Sequence, residues 1–366
     1  MKGVLCAPVM GANPYQSLLA RALESHGFRL RLEPLSWRIE GQLQTRDSLL
    51  HLHWLAPLFS DPRRVRTALK VALFVRALRR LRKRGIPFVW TVHNLYEHER
   101  EHVALERRLR LWLARHAAAL IVHGPSAAEL VRREYRLSER SEVAIVPHGH
   151  YIDAYPSRHT RIEARRLLGL DPEAPILLFL GQVSPYKGAL TLVDAVGRVR
   201  HGLQLIVAGL PSPPWMEDEL RARAQGVAGI HLRLGFASDE EVAVLGTACD
   251  LFVLPHREMA DDPALRDNPR FEILTSGSAV LAMSLGRACL APRMGCFSEL
   301  LGEDGGFLFD PKQPGGLESA LRIALTERRR WDEMGRRNRV AIEPVDWDRV
   351  AERTAAVYAR ALHEPA

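Results

Sequence analysis

Along this chain, short apolar runs alternate with longer stretches in which apolar positions recur every three or four residues. The first pattern is that of buried strands, the second that of helices with one covered face. The first half predicts strands near 3–6, 49–53, 88–92, 119–122 and 143–146, and helices near 14–26, 65–84, 99–116 and 126–135. The second half repeats the scheme. Strands are predicted near 176–180, 203–208, 230–234, 250–254, 288–291 and 306–309, and helices near 188–200, 216–224, 239–247, 276–285, 297–302 and 315–336. A last amphipathic stretch, 347–362, is expected to pack back on the first half. Strands and helices in such alternation make α/β units, with parallel sheets covered on both faces. Their ligands are expected outside the carboxyl ends of the strands, in a cleft between the two halves.

The length, 366 residues, exceeds what one core usually serves, which predicts two domains. The expected division is 1–155, 170–345, and a C-terminal helix within 346–366. No apolar run is long enough to span a bilayer, and Met1-Lys-Gly-Val-Leu-Cys-Ala-Pro8 reads as a first strand rather than a cleavable leader. Cys6, Cys249, Cys289 and Cys296 are scattered without a Cys-x-x-Cys pair, which predicts buried free thiols and a reducing compartment.

Charge changes this picture. The net charge is +8, yet residues 1–160 hold 26 Lys and Arg against 14 Asp and Glu, while the remainder holds 25 against 29. Much of the excess lies in 63–84, where ten of 22 residues are Lys or Arg and none is acidic. Val65, Leu69, Ala72, Leu73, Val75, Leu78 and Leu81 recur there at helical spacing. A basic amphipathic helix predicts contact with an anionic membrane surface. A surface helix covering its own sheet is the plainer reading, and explains part of the stripe. Nucleic acid is not expected, because no aromatic-interleaved basic motif or zinc finger accompanies the charge.

Candidate chemistry collects after strands. The segment Phe179-Leu-Gly-Gln-Val-Ser-Pro-Tyr-Lys-Gly188 runs from a strand through a glycine turn to a lysine and a helix start, where backbone N–H groups and Lys187 would face an anion. Thr275-Ser-Gly-Ser278 opens an apolar helix and is a second phosphate candidate, though ordinary capping explains it equally well. His51, His53, His93, His123, His148 and His150 all follow strands, as does Asn13-Pro-Tyr15. Histidines at successive strand ends are harder to dismiss than one alone. His98-Glu-Arg-Glu-His102 matches the zinc-protease pattern formally, but its solvated, loop-like flanks argue against a metal site.

These residues together carry a family resemblance. Asn13-Pro-Tyr15, Leu50-His-Leu-His-Trp54, Thr91-Val-His-Asn-Leu95 with His98-Glu99, His148-Gly-His-Tyr151, Pro185-Tyr-Lys-Gly188, Ser276-Gly277 and 282–292 resemble the GT-B-fold glycosyltransferases of the family-4 superfamily. More narrowly they resemble the bacterial exopolysaccharide (xanthan-type) β-mannosyltransferases. The resemblance implies two Rossmann-like domains whose parallel sheets face each other across a cleft. The C-terminal domain would hold a nucleotide-diphosphate sugar, with Gly181, Gln182, Lys187, Glu272, Ser276, Gly277 and Ser278 as the donor set. The N-terminal domain would hold the acceptor, with Asn13, Tyr15, His53, His123 and His150 beside it. Fixed positive charge would replace the metal that other transferases use, so no metal and no cofactor are expected beyond the donor.

Two departures matter. The superfamily carries Gly-Arg where this chain has Gly181-Gln182. It also carries a Glu-x7-Glu pair whose positions fall on Ile273, beside Glu272, and on Leu281. Losing those glutamates disagrees with a retaining mechanism and agrees with the inverting branch. An inverting transferase needs a base for the acceptor hydroxyl, and Glu99, Glu97 and His93 are the candidates. The stretch 256–275 is longer than expected, which suggests an acceptor or lid loop. The expected activity is transfer of a hexose, mannose favoured and GDP-sugar over UDP-sugar, to a saccharide acceptor, lipid-linked, in bacterial polysaccharide or glycolipid synthesis. The expected place is the inner face of the cell membrane, held there peripherally. The alternative is a catalytically degenerate GT-B protein that binds nucleotide sugar or serves as a scaffold.

Overall fold

The computed structural model describes residues 1–11, 13–44, 47–97, 102–199, 202–257 and 272–363. In chain order the first half runs β1 (Lys2–Ala7), α1 (Tyr15–Leu23), β2 (Phe28–Leu32), α2 (Ile39–Gln42), β3 (Asp47–Leu52), α3 (Arg64–Lys83), β4 (Phe88–Thr91), α4 (Val103–His116), β5 (Ala119–Val122), α5 (Pro125–Tyr135) and β6 (Val143–Ile145). The second runs α6 (Arg161–Leu167), β7 (Ile176–Leu180), α7 (Ala189–Val199), β8 (Gln204–Gly209), α8 (Trp215–Ala224), β9 (Ile230–Leu234), α9 (Asp239–Ala248), β10 (Leu251–Val253), α10 (Gly277–Ser284), β11 (Ala288–Pro292), α11 (Phe297–Leu301), β12 (Gly306–Phe309), α12 (Gly316–Thr326), α13 (Trp331–Ile342) and α14 (Trp347–His363).

The chain forms two compact units, Met1–Gly149 with Asn268–Thr275 and Val345–Ala366, and His150–Asp267 with Ser276–Pro344. Each contains one six-stranded sheet, ordered β2-β1-β3-β4-β5-β6 in the first and β12-β11-β10-β7-β8-β9 in the second. Every strand pair in them is parallel. Each is a Rossmann-like parallel sheet. Strand order reverses between β1 and β3 in the first sheet and between β7 and β10 in the second. Those two reversals are the switch points at which open parallel sheets take ligands.

In the first unit the pleat sorts the side chains. Leu5, Leu50, Leu52, Trp90, Leu120 and Val122 point to the face covered by α3, α4 and α5. Val4, Leu49, Val89 and Ile121 point to the other, where α1 and α14 lie through Tyr15, Leu19, Val350 and Tyr358. A strand's side chains alternate with period two. Continuing the second set along each strand therefore brings His51 and His53, Thr91 and His93, His123, and His148 onto the face of α1 and α14.

Several elements differ from the sequence expectation. β2, α2 and α6 were not expected. β2 is a short edge strand in Phe-Arg-Leu-Arg-Leu, whose Arg31 bridges Glu33 and Asp47. α6 starts with a capping box between Thr160 and Glu163. The helix expected over 315–336 is two helices, divided by a turn at Arg328–Arg330. The buried stripe of α3 is Thr67, Val71, Phe74, Ala77, Leu78 and Leu81. Val65 and Leu69, read as part of the apolar stripe, lie outside it and are 81% and 59% exposed. All four cysteines are buried and free. No helix among the described residues is long and apolar enough to cross a membrane.

Candidate functional site

In the second unit the donor candidates gather at the switch point. The chain leaves β7 through Gly181, whose φ of +137° is one that side-chain-bearing residues rarely adopt. A methyl group built on its α-carbon would lie 3.1 Å from Ser278 Oγ and 3.3 Å from Lys187 Nζ. The lysine and the start of α10 thus converge on one point beside the β7 turn. Ser278 Oγ donates to the Leu180 carbonyl at 3.1 Å, which ties α10 to the end of β7. Ser276 caps α10 by accepting from Ala279 N–H at 3.2 Å. This leaves the first N–H groups of the helix, those of Gly277 and Ser278, without intrahelical acceptors. Lys187 joins no ion pair among the described residues, and burial pulls its ammonium down to about 8. A partly buried cation beside free helix N–H groups is a site for an anion.

The other donor candidates are placed differently. Gln182 is exposed beside this turn. Glu272 falls in the Asn268–Thr275 segment, which belongs to the first unit. Ile273 and Leu281, at the positions of the superfamily's two glutamates, are buried. Most of the 256–275 stretch lies outside the described residues. Tyr151, which closes the His148-Gly-His-Tyr151 motif but was given no role there, has its hydroxyl 3.9 Å from where a Gly277 side chain would start. Its N–H donates to Ser284 Oγ at 2.9 Å.

In the first unit the histidines form a row across neighbouring strand ends. His53 Nδ1 lies 2.9 Å from His93 Nε2, and His93 Nδ1 lies 3.3 Å from His123 Nε2. His123 Nδ1 lies 2.9 Å from the Val146 carbonyl oxygen. Tyr15, the first residue of α1, sets its ring edge-on or tilted against His53, His93, His123 and His148. Trp347, the first residue of α14, closes on Tyr15 at 5.3 Å and lies flush on Gly149, where an added Cβ would come within 2.6 Å of the indole. Burial pulls His51 to about 3, His123 to about 4 and His148 to about 3. It holds His53 and His93 well below the usual imidazole range. The row is therefore neutral at physiological pH. Of the acceptor candidates, Tyr15 and His53 are each 1% exposed and form the floor of this region, and Asn13 and His123 are partly exposed, whereas His150, expected in the first unit, belongs to the second. Asn13 Oδ1 accepts from Tyr15 N–H at 2.9 Å, and His150 Nδ1 accepts from Ile152 N–H at 3.4 Å.

The three base candidates separate. His93 has both ring nitrogens engaged by other histidines, so it has no lone pair to offer an acceptor. Glu97 is held at 2.6 Å by Arg110, which also binds Glu106 at 2.7 Å and the Asn94 carbonyl at 3.0 Å. Arg110 is almost wholly buried against Trp90 and Tyr96. Burial pushes the Glu97 carboxyl up against the pull of that arginine. An occupied carboxylate of this kind anchors the loop after β4. Glu99 lies outside the described residues, as do His98, Arg100 and Glu101 of the zinc-like motif. His102, at the far end of that motif, bonds the Asp61 carbonyl oxygen at 3.0 Å.

Three residues of metal-ligating type do meet in the core, Cys6, His51 and His53, with donor atoms within 4.8 Å of one another. Their valences are largely taken. His51 bonds Tyr358 Oη at 2.6 Å and Thr91 Oγ1 at 2.7 Å. Cys6 Sγ accepts from Gln16 Nε2 at 3.4 Å, and burial pushes the thiol up to about 12. Each of the three is hydrogen-bonded to other core groups.

Comparison with known proteins bears on the family and the fold. Residues 160–341 match the family Glycosyl transferases group 1, and residues 21–153 match Glycosyltransferase Family 4. A GDP-mannose:glycolipid 4-beta-D-mannosyltransferase of Xanthomonas campestris pv. campestris is 27% identical, with 97% of this chain and 90% of that protein covered. Among solved structures, sucrose-phosphate synthase from Thermosynechococcus elongatus superposes with a TM-score of 0.76 at 16% identity, over 98% of each chain. Anabaena HepE in complex with UDP and glucose superposes with a TM-score of 0.70 at 17% identity, over 98% of this chain and 99% of that one. The two matched regions take in most of the chain and meet between the last strand of the first sheet and the first strand of the second, and the chain belongs to the GT-B-fold glycosyltransferases of the family-4 superfamily.

Proposed function

We propose that this transferase moves mannose from GDP-mannose to a lipid-linked saccharide, with inversion and without a metal. The observation that carries the donor half is the convergence of Lys187 Nζ and Ser278 Oγ beside Gly181, at a helix start with open N–H groups. Positive charge and N–H donors aimed at a departing diphosphate stabilise it where charge develops. That is the service a divalent ion renders in other transferases. Mannose and a glycolipid acceptor are favoured because the Xanthomonas relative is named for both.

In the proposed reaction the acceptor hydroxyl oxygen attacks the anomeric carbon as the bond to the diphosphate oxygen breaks on the opposite side. The hydroxyl proton passes to Glu99, and the nucleoside diphosphate leaves against Lys187 and α10. Glu99 is preferred over the other two candidates because Glu97 is paired with Arg110 and His93 is enclosed by its neighbours. The buried Ile273 and Leu281 agree with an inverting reaction, since the glutamates of the retaining branch are replaced.

Peripheral attachment to an anionic membrane is part of the same proposal. α3 carries exposed Val65 and Leu69 towards its N-terminal end, among Arg63, Arg64 and Arg66. Exposed apolar side chains ringed by cations suit insertion between anionic headgroups.

A thermal-shift panel with GDP, UDP, ADP and TDP, each with and without EDTA, tests the donor half. A ligand that binds only the native state raises apparent stability by mass action. The expected result is a shift with GDP that EDTA leaves unchanged. A shift with UDP alone would move the donor assignment, and no shift with any of the four would remove the donor site.

A further inference from the structure

The strand ends at the switch point of the first sheet, between β1 and β3, carry acceptor candidates. An open parallel sheet takes its ligand outside the carboxyl ends of the strands at such a reversal. The chain leaves β3 there through His53 and Trp54. The Trp54 indole lies on the His93 imidazole with ring centroids 3.9 Å apart and planes 6° from parallel. Tyr15 meets the same indole edge-on, at 6.5 Å and 83°. His93 beneath is buried, whereas Trp54 is only partly buried. One face of the indole is spent on the histidine.

The support under that indole has a fixed sense. His123 Nδ1 faces the Val146 carbonyl oxygen, an acceptor only, so it carries a proton. With His123 neutral, its Nε2 accepts from His93 Nδ1–H. His93 Nε2 then accepts from His53 Nδ1–H. His53 Nε2 ends the series as a bare acceptor, and it has no hydrogen-bond partner among the described residues. One carbonyl thus sets three tautomers in a row. With both nitrogens bonded, His93 cannot turn, and the indole stacked on it is held with it.

We propose that Trp54 is the stacking platform for a neutral hexopyranose ring of the acceptor, and that His53, His93 and His123 are positioning residues that hold it. A pyranose offers a flat face of C–H groups, which an aromatic face takes by burying apolar area. A platform already immobilised loses little freedom on binding. An uncharged floor suits a neutral sugar. This inference rests on the glycosyltransferase reading with the acceptor in the first unit.

The test uses saturation-transfer NMR on the full chain with octyl β-D-glucopyranoside and methyl α-D-mannopyranoside. Saturation of one pyranose face is expected in the native protein, reduced several-fold by Trp54→Phe and abolished by Trp54→Ala. The nucleotide-diphosphate thermal shift should persist in both variants, and this separates failure here from failure of the donor site. No transfer to either sugar in the native protein, or an unchanged pattern in Trp54→Ala, would overturn the platform. Long-range 15N–1H correlation of the imidazoles reads the support directly. Nδ1–H tautomers are expected at His53, His93 and His123. An Nε2–H form at His53 or His93 would overturn the positioning role. His123→Phe keeps a ring but frees His93 Nδ1, so it should mix the His93 tautomers and weaken saturation several-fold. An unchanged saturation pattern in that variant would likewise overturn positioning.

Discussion

The α-carbon of Gly188 faces the carbonyl oxygen of Pro255 so closely that a methyl group built on it would overlap that oxygen. Gly188 also has a φ of +74°. The loop that presents Lys187 is therefore pinned by a glycine with two reasons to be one. Gly188→Ala should cost about 2–4 kcal/mol, from left-handed strain plus overpacking against backbone. Gly85→Ala is the control, with a φ of +75° and nothing within 4 Å, and should cost only about 1 kcal/mol. Paired urea titrations measure the difference, and equal costs would remove the role of Pro255.

Lys187 sets an alkaline limit on donor binding. Burial lowers its ammonium to about 8 in the unliganded protein, and a bound diphosphate would raise it again. Nucleoside-diphosphate affinity should hold steady below pH 7 and fall roughly tenfold per unit above pH 8. Lys187→Met should weaken binding about 10–150-fold, the range of a charge-assisted hydrogen bond, and flatten the alkaline limb. Calorimetric titration between pH 6.5 and 9.5 reads both. A limb that persists in Lys187→Met belongs to another group.

The histidine row makes the first unit sensitive to acid. Free histidine titrates near 6.5, but the folded values of His51, His123 and His148 lie near 3–4 and those of His53 and His93 well below the usual range. The unfolded chain therefore binds protons below pH 6.5 that the folded chain refuses. The stability these groups confer is full above pH 6.5 and is lost as pH falls from there towards 3–4. Each costs about 1.4 kcal/mol per pH unit in that window. Five together would exhaust a domain stability of about 5–15 kcal/mol within roughly two units. Urea midpoints at pH 7.5, 6.5 and 5.5 check this, and a flat series would mean that the row takes up protons equally in the folded and unfolded chain.

Arg110 should be an anchor, with consequences for stability rather than chemistry. Its replacement by Met strands Glu97 and Glu106 without their cation. Removing one partner of a buried ion pair costs about 3–5 kcal/mol. Glu97→Gln should likewise lower the melting temperature. Glu99→Gln should instead abolish transfer at an unchanged melting temperature. Full activity in Glu99→Gln would end its assignment as the base.

Binding to vesicles of phosphatidylglycerol should weaken tenfold or more in Val65→Asp/Leu69→Asp, since each buried aliphatic side chain is worth about 1.5–3 kcal/mol. Raising salt should weaken it further. Both positions are largely exposed, so the fold should survive, and equal sedimentation with vesicles by the double variant would refute insertion by α3.

Much of this protein is legible in its amino-acid sequence. Alternation of apolar runs with helical spacing is enough for two parallel α/β sheets, because covering such strands on both faces leaves little else. Hydrophobic pattern does not mark β2, whose alternating arginines resemble a surface segment until Arg31 finds Asp47 and Glu33. It also miscasts Val65 and Leu69, since helical spacing alone does not say which stripe of α3 faces the sheet. The lysine loop and the α10 start are legible as separate motifs. Their convergence beside Gly181 is not, because 98 residues separate Leu180 from the Ser278 that bonds it.

The sequence by itself determined the fold class, the position of each strand-end histidine and the local turn chemistry. These depend on period, on glycine's access to positive φ and on caps a few residues long. Only the tertiary structure decided what those residues do to one another. It closed both nitrogens of His93, committed Glu97 to Arg110, and laid Trp54 on a floor of neutral rings. Hydrogen-bond valence and desolvation are properties of neighbours in space, and no spacing along a chain contains them.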